Sequence, residues 1–283
     1  MKRLIVTADD FGLTHSVNEA VEEGHRRGIL TAASLMVTGE AAEDAIARAK
    51  RMPRLGVGLH LVLVDGAPVL PPERVPDLVG SDGRFPNDVF ALGVRIFCRP
   101  AARRQVAAEI RAQLEAFQRT GLVLDHVNAH HHFHLHPTVQ RELLRLASQF
   151  GVKAIRVPLE PRFAAWRAGS RRLSRFGMGL IEARRATTLK RRLDAAGIKR
   201  NDWIFGLADS GMMESERMAH YLEQVPEGVS ELYVHPAMQR PAAYPVHYRS
   251  RGEFEALIDP AMAGVIARRS IMTMAFAGLS EPA

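Results

Sequence analysis

Leu4-Ile5-Val6-Thr7-Ala8-Asp9-Asp10-Phe11-Gly12 sets an apolar run directly before two carboxylates. The run over residues 4–8 reads as a strand buried on both faces, the kind that parallel sheets contain. The residues after it choose between two parallel architectures. An open sheet that binds a dinucleotide carries a glycine-rich loop after its first strand, and two acids stand in that place here. Chemistry-bearing residues recur at later strand ends: His60 within Val57-Gly58-Leu59-His60-Leu61-Val62-Leu63, a histidine block after 122–128, Arg156 at the end of 153–157, and His235 at the end of 229–235. The carboxyl ends of so many strands converge most simply in a barrel, so the sequence predicts an α/β barrel of about seven parallel strands.

A β-α rhythm runs through the chain. Helices are expected over 16–27 (Thr14 capping, Gly28 closing), 41–51, 101–120, 137–150, 214–223 and 251–269, the last interrupted at Pro260. Strands are expected over 32–37, 55–63, 122–128, 153–157, 203–207, 229–235 and 270–276. Between 65 and 100 the rhythm breaks, and Pro68, Pro71, Pro72, Pro76, Gly80, Gly83 and Pro86 mark an excursion over one face.

With 283 residues, 47% of them hydrophobic, the chain can bury one large core, which excludes disorder as its main state. We expect a single domain over 1–283. One cysteine, Cys98, allows no internal disulfide and suggests a cytosolic protein. The first apolar run is too short for a secretory leader, and nothing approaches the roughly 18 apolar residues of a membrane span. The net charge of +7 is local: residues 162–200 hold twelve Lys or Arg against Glu182 and Asp194. Phe163, Trp166, Phe176, Leu180 and Ile181 are interleaved with those cations. A basic amphipathic insertion of this kind suits peripheral contact with an anionic membrane. Nucleic acid is not expected, since no binding motif accompanies the charge. The oligomeric state is left open.

Five of the twelve histidines lie in His130-His131-His132-Phe133-His134-Leu135-His136, just after Asp125-His126-Val127-Asn128. Such a density of imidazoles points to a bound metal, and its internal position, broken by Phe133, argues against a purification tag. If the chain stays extended, His130, His132, His134 and His136 share one face while His131 points the other way. One or two suffice as ligands; His132 and His134 could line a sugar pocket. Of Asp9 and Asp10, one can bind a metal while the other lies beside the ion's open position. One Asp and two His leave room for water and substrate, the arrangement of metal-assisted hydrolysis. His235 is the candidate acid for a departing nitrogen, and Arg156 the candidate group that orients the basic carboxylate.

Thr7-Ala8-Asp9-Asp10-Phe11-Gly12, Gly58-Leu59-His60-Leu61-Val62-Leu63 and the 126–136 block together resemble the YdjC-like carbohydrate deacetylases. Ala32-Ala33-Ser34-Leu35-Met36-Val37, His126-Val127-Asn128-Ala129-His130 and His132-Phe133-His134-Leu135-His136-Pro137 are similar to the hopanoid-biosynthesis-associated branch of that family. The resemblance implies a distorted TIM-like (β/α) barrel and removal of an N-acetyl group from an amino sugar with one divalent ion. It implies Asp10, His60 and His130 as metal ligands, Asp9 as the base and His235 as the acid. Magnesium is the ion of the family description, whereas the ligand types suit zinc or another transition metal. Relatives often carry Asp-Ser where this chain has Asn128-Ala129, and an amide can be neither base nor anionic ligand. The expected substrate is a GlcNAc-type hopanoid glycolipid met at the cytoplasmic membrane face. Soluble chito-oligosaccharides are the alternative, as is a non-catalytic role as a metal- or lipid-binding partner.

Overall fold

The structure, a computed structural model, describes residues 1–161 and 176–280. Seven strands form one parallel sheet: β1 Lys2–Phe11, β2 Ala32–Leu35, β3 Gly56–Leu61, β4 Val127–Ala129, β5 Trp203–Phe205, β6 Gly228–Val234 and β7 Ile271–Thr273. They lie in the order β4-β3-β2-β1-β6-β5, with β7 paired to β1. β1 is central because residues 4–11 are buried without interruption, as a strand covered on both faces must be. Its first residues, Lys2 to Leu4, pair with β7, and β2 takes over that side from Thr7. β6 follows the other side from Lys2 to Ala8. That exchange of neighbours curls the sheet into a half-barrel.

Helices cover the outside: α1 His15–Arg27, α2 Ala42–Lys50, α3 Val89–Cys98, α4 Pro100–Arg119, α5 Pro137–Ala147, α6 Phe176–Ala195, α7 Ser215–Glu223, α8 Ser250–Ile258 and α9 Pro260–Arg268. Thr14 caps α1 by accepting from Val17 N, and α1 buries Val17, Ala20, Val21 and Gly24 against the sheet. Pro260 divides the last helix where the sequence suggested, beginning α9 with Asp259 as its cap.

Three local expectations are revised. The strand expected over 122–128 shrinks to Val127–Ala129. The strand expected over 153–157 makes only isolated bridges, Val127 to Ile155 and Ala154 to Lys199. Asn201 completes that extended stretch, accepting from Val157 N and donating to Val157 O, so the segment spans the gap between β4 and β5. The excursion over 65–100 contains a helix, α3, and is tied down by buried Glu109 of α4, which accepts from Val69 N and Leu70 N. Of the basic segment, residues 162–175 lie outside the described residues. Residues 176–195 of it form α6, which buries Ala186, Leu189 and Leu193 in the main core.

Candidate active site

Asp9 and Asp10 diverge because β1 is bulged between them. Its pairing with β2 passes from Ala8–Ala33 to Phe11–Leu35, so β1 carries one extra residue there. Asp10 adopts a left-handed φ of 62°, which L-residues adopt at a cost and which is held here by its surroundings. Gly12, with φ 96°, completes the turn and donates its N–H to Asn18 Oδ1 at 2.8 Å.

Asp10 Oδ1 lies 3.2 Å from His60 Nε2 and 3.1 Å from His130 Nδ1. Both Asp10 oxygens are buried and find no hydrogen-bond partner among the described residues. The ligand atoms of Asp10, His60 and His130 all lie within 4.8 Å of one another. Burial opposes charge at both Asp10 and His130, yet each stabilises the other's ion. Asp10 is held well below the usual carboxylate range, and His130 is raised above the ordinary imidazole value. The pocket therefore demands positive charge at this point, which a divalent cation would supply. The donor set fits such an ion: two imidazole nitrogens and an otherwise unpartnered buried carboxylate.

A chain of buried polar groups fixes which nitrogen of His60 faces Asp10. Asn128 Nδ2 donates to Asp9 Oδ1 at 3.1 Å and to Ser34 Oγ at 2.8 Å. A carboxylate can only accept, so the amide orientation is determined, and Asn128 Oδ1 accepts from His60 Nδ1 at 2.7 Å. His60 Nε2 thus keeps its lone pair for an ion. The other end is set by Asp125 Oδ2, which accepts from His126 Nδ1 at 2.9 Å. His126 Nε2 then accepts from Ser34 Oγ at 3.0 Å. Gly58 admits this chain: a Cβ there would stand 2.5 Å from the His126 ring.

Asp9 makes a forked pair with Arg156, Nη1 to Oδ2 at 2.6 Å and Nη2 to Oδ1 at 2.9 Å. Arg156, wholly buried, also donates to Glu231 Oε1 from Nε and Nη2 at 3.0 and 2.7 Å and lies over the Tyr233 ring. Burial would raise the Asp9 carboxyl, but the Arg156 charge, with His60, outweighs it and holds Asp9 below the usual carboxylate range. His235, at the end of β6, packs its ring against Tyr233, Tyr244 and Tyr248. Burial lowers its pKa despite the neighbouring Asp10 and Asp9. Its backbone N–H is held by Glu253 Oε2, and Glu253 Oε1 accepts from Met213 N.

The histidine block is not extended. It winds as a 3-10 turn, His130–Leu135, in which His131 and His132 both have φ 52°. The alternating face expected of it is therefore absent. His131 lies in the open, 3.7 Å from Asp65, while half-buried His132 faces the Tyr233 ring edge-on. His134 is buried and donates from Nε2 to Arg156 O at 3.0 Å, which bolts the turn to the segment carrying Arg156. His136 caps α5, accepting from Thr138 N. Ser34, Glu231 and Glu253 were not singled out by sequence as parts of this site, and Asn128 was noted only as unable to be a base or an anionic ligand. For Glu231 a signal existed, an acid inside the apolar run 229–234, the same anomaly that marked His60.

The sequence pattern of the family described as YdjC-like protein matches residues 3–268. Over 150 residues, 53% of the chain, it is 43% identical to a carbohydrate deacetylase of Brevibacillus brevis. Over 238 residues, 84% of the chain, it is 29% identical to a carbohydrate deacetylase of Thermoanaerobacter pseudethanolicus and spans 82% of that protein. The chain spans only 57% of the length of the Brevibacillus relative, a little over half. A solved protein of Enterococcus faecalis V583, named provisionally for cellobiose-phosphate cleavage, has the same fold. Its TM-score is 0.78 over 99% of both chains at 24% identity.

Proposed function

Because the chain belongs to the YdjC-like protein family, we propose that it is a metal-dependent hydrolase that removes the N-acetyl group from an amino sugar. The observation that carries this reading is the adjacency of two buried carboxylates with different partners. Asp10 faces the His60 and His130 imidazoles, with the Tyr244 hydroxyl near, and Asp9 is held by the Asn128 amide and the Arg156 guanidinium. A divalent ion held by Asp10, His60 and His130 would acidify a water molecule and polarise the acetyl carbonyl. Two imidazoles and one carboxylate favour zinc or another transition ion over magnesium.

Asp9 takes the proton of the attacking water. Its Oδ1 accepts from both Asn128 and Arg156, whereas Oδ2 accepts from Arg156 alone, so Oδ2 keeps the freer lone pair. Arg156 fixes the plane of that carboxylate through two parallel bonds. His235 delivers a proton to the departing sugar nitrogen as the carbon–nitrogen bond breaks, and acetate leaves with the water oxygen. His132, half-buried beside Tyr233, would meet the sugar, and His134 supports the turn beneath it.

The substrate class follows the names of the deacetylase relatives, and within it we favour a GlcNAc-type hopanoid glycolipid. The protein would work on the cytoplasmic side, peripheral to an anionic membrane through residues 162–200. Among the described residues no helix is long and apolar enough to cross a membrane. The test is acetate release from a GlcNAc-hopanoid and from chito-oligosaccharides, by protein stripped of metal and by protein reloaded with zinc or magnesium. Release from the lipid by reloaded protein alone is expected. A metal-loaded protein inert on every acetylated amino sugar would overturn the enzyme reading.

A further inference from the structure

Helix α3 is apolar apart from Arg95, yet only one side of it is covered. Leu92 and Ile96 are buried, whereas Phe90, Val94 and Phe97, spaced as one helical stripe, are 72%, 47% and 66% exposed. A helix so largely apolar is ordinarily enclosed. Among the described residues, four of the ten large exposed hydrophobic side chains sit on this ten-residue helix, with Val89 the fourth. Two more, Leu180 and Ile181, sit on α6. The two helices flank the start of α5. His136 donates from Nε2 to Gly93 O of α3 at 3.1 Å, and Gln140, one turn on in α5, donates from Nε2 to Arg185 O of α6 at 3.4 Å. Exposed apolar side chains therefore gather beside the turn that carries His130.

Charge decides what covers this face. From 89 to 108 the chain has Arg95, Arg99, Arg103 and Arg104 and no acid. Of these, Arg99 pairs with Asp77 at 3.3 Å and Arg95 donates to Asp77 O, while Arg104 is exposed. On α6, Arg184 and Arg185 follow Leu180 and Ile181 by one turn, with Glu182 the acid between. A second copy docked face to face would set arginines against arginines. An anionic bilayer sets phosphates against them and receives the phenyl rings below.

We propose that α3, with the adjoining start of α6, is a docking face for an anionic lipid bilayer, Phe90, Val94 and Phe97 entering the boundary between headgroups and acyl chains. This extends the membrane contact beyond the basic segment 162–200, of which only Leu180 and Ile181 of α6 take part, to α3. It deepens the deacetylase reading by giving its substrate a lipid-borne form, but the docking face itself does not depend on activity.

The test is flotation of the full chain with phosphatidylcholine vesicles, with and without phosphatidylglycerol. The wild type is expected to bind only vesicles containing phosphatidylglycerol and to release in high salt. The double variant Phe90→Ser/Phe97→Ser is expected to lose about tenfold or more in partitioning. Val123→Ser, which alters a distant residue that is 85% exposed, should bind as the wild type does. Acetate release from a soluble acetylated amino sugar should be the same in both variants; if the double variant changes the circular dichroism, Phe97→Ser alone replaces it. Failure of the wild type to bind, or undiminished binding by the double variant, overturns the proposal. So does a dimer, seen by sedimentation equilibrium, that the double variant dissociates, because the face would then belong to a second copy. Vesicle binding by a protein inert on all sugars would remove the deacetylase reading and leave the docking face standing.

Discussion

At position 128 the side chain donates to Asp9 Oδ1 and Ser34 Oγ while accepting from His60 Nδ1. Among common side chains of this size only an amide does all three. A carboxylate there would lose both donors and set a second negative charge against Asp9. Asn128→Asp is therefore expected to weaken metal binding and turnover by about 10–100-fold, the usual effect of disturbing a group that orients a ligand. Metal titration followed by calorimetry reads it, and unchanged affinity would show that the chain from Asp125 to His60 does not set the tautomer. Arg156 acts on the other carboxylate. Its removal would leave Asp9 and Glu231 buried without a counter-charge, a loss of about 3–5 kcal/mol, so the informative change is Arg156→Lys, which keeps a charge and loses the fork. Asp9 is then less depressed, and the acidic limb of kcat/KM moves to higher pH. A profile identical to wild type would mean that Asp9 does not carry that limb.

Among the elements, β3 is constrained by what lies across from it. His126 is fully buried, stacked on Phe276 with ring centroids 4.5 Å apart and bonded at both nitrogens, so it cannot retreat from a Cβ at position 58. Gly58→Ala should cost about 1–3 kcal/mol by overpacking, measured by urea unfolding; a neutral substitution would mean that the ring is free to move. The strands and helices with a clear period were legible in the sequence, and so was the gathering of polar residues at strand ends. α3 was not, because a helix with Arg95 as its one charged residue shows no clear period and the prolines and glycines before it announced only a loop. The histidine block misled for a different reason. Alternation presumes extended backbone, and two residues at φ 52° abolish it. Asn128 was judged only as an acid or base, and its use as a donor became visible once His60, Asp9 and Ser34 were placed around it.

For the whole molecule, buried acids of two kinds set the dependence of stability on pH. Asp9 has a folded pKa below its unfolded value of 3.8, so the stability it contributes is present above that pH and is lost as the pH falls further. Glu253 behaves oppositely. Burial raises it from 4.5 to about 7 although two backbone N–H groups favour its ion, so its contribution is full below pH 4.5 and is lost as the pH rises through about 7. Glu253→Gln should lower overall stability by about 1–3 kcal/mol, since one backbone donor loses its acceptor. It should also flatten the decline between those two pH values, read from urea midpoints of metal-free protein, and an unaltered slope would remove Glu253 as its source. On the proposed mechanism, Asp9 stands beside the ion's ligands while Arg156 and Asn128 hold its oxygens. Acetate release by Asp9→Asn, loaded with metal to the same content as the wild type, measures this directly. Turnover is expected to fall by about 10²–10⁴-fold with metal retained, whereas undiminished turnover would contradict Asp9 as the base and with it the catalytic reading of the site.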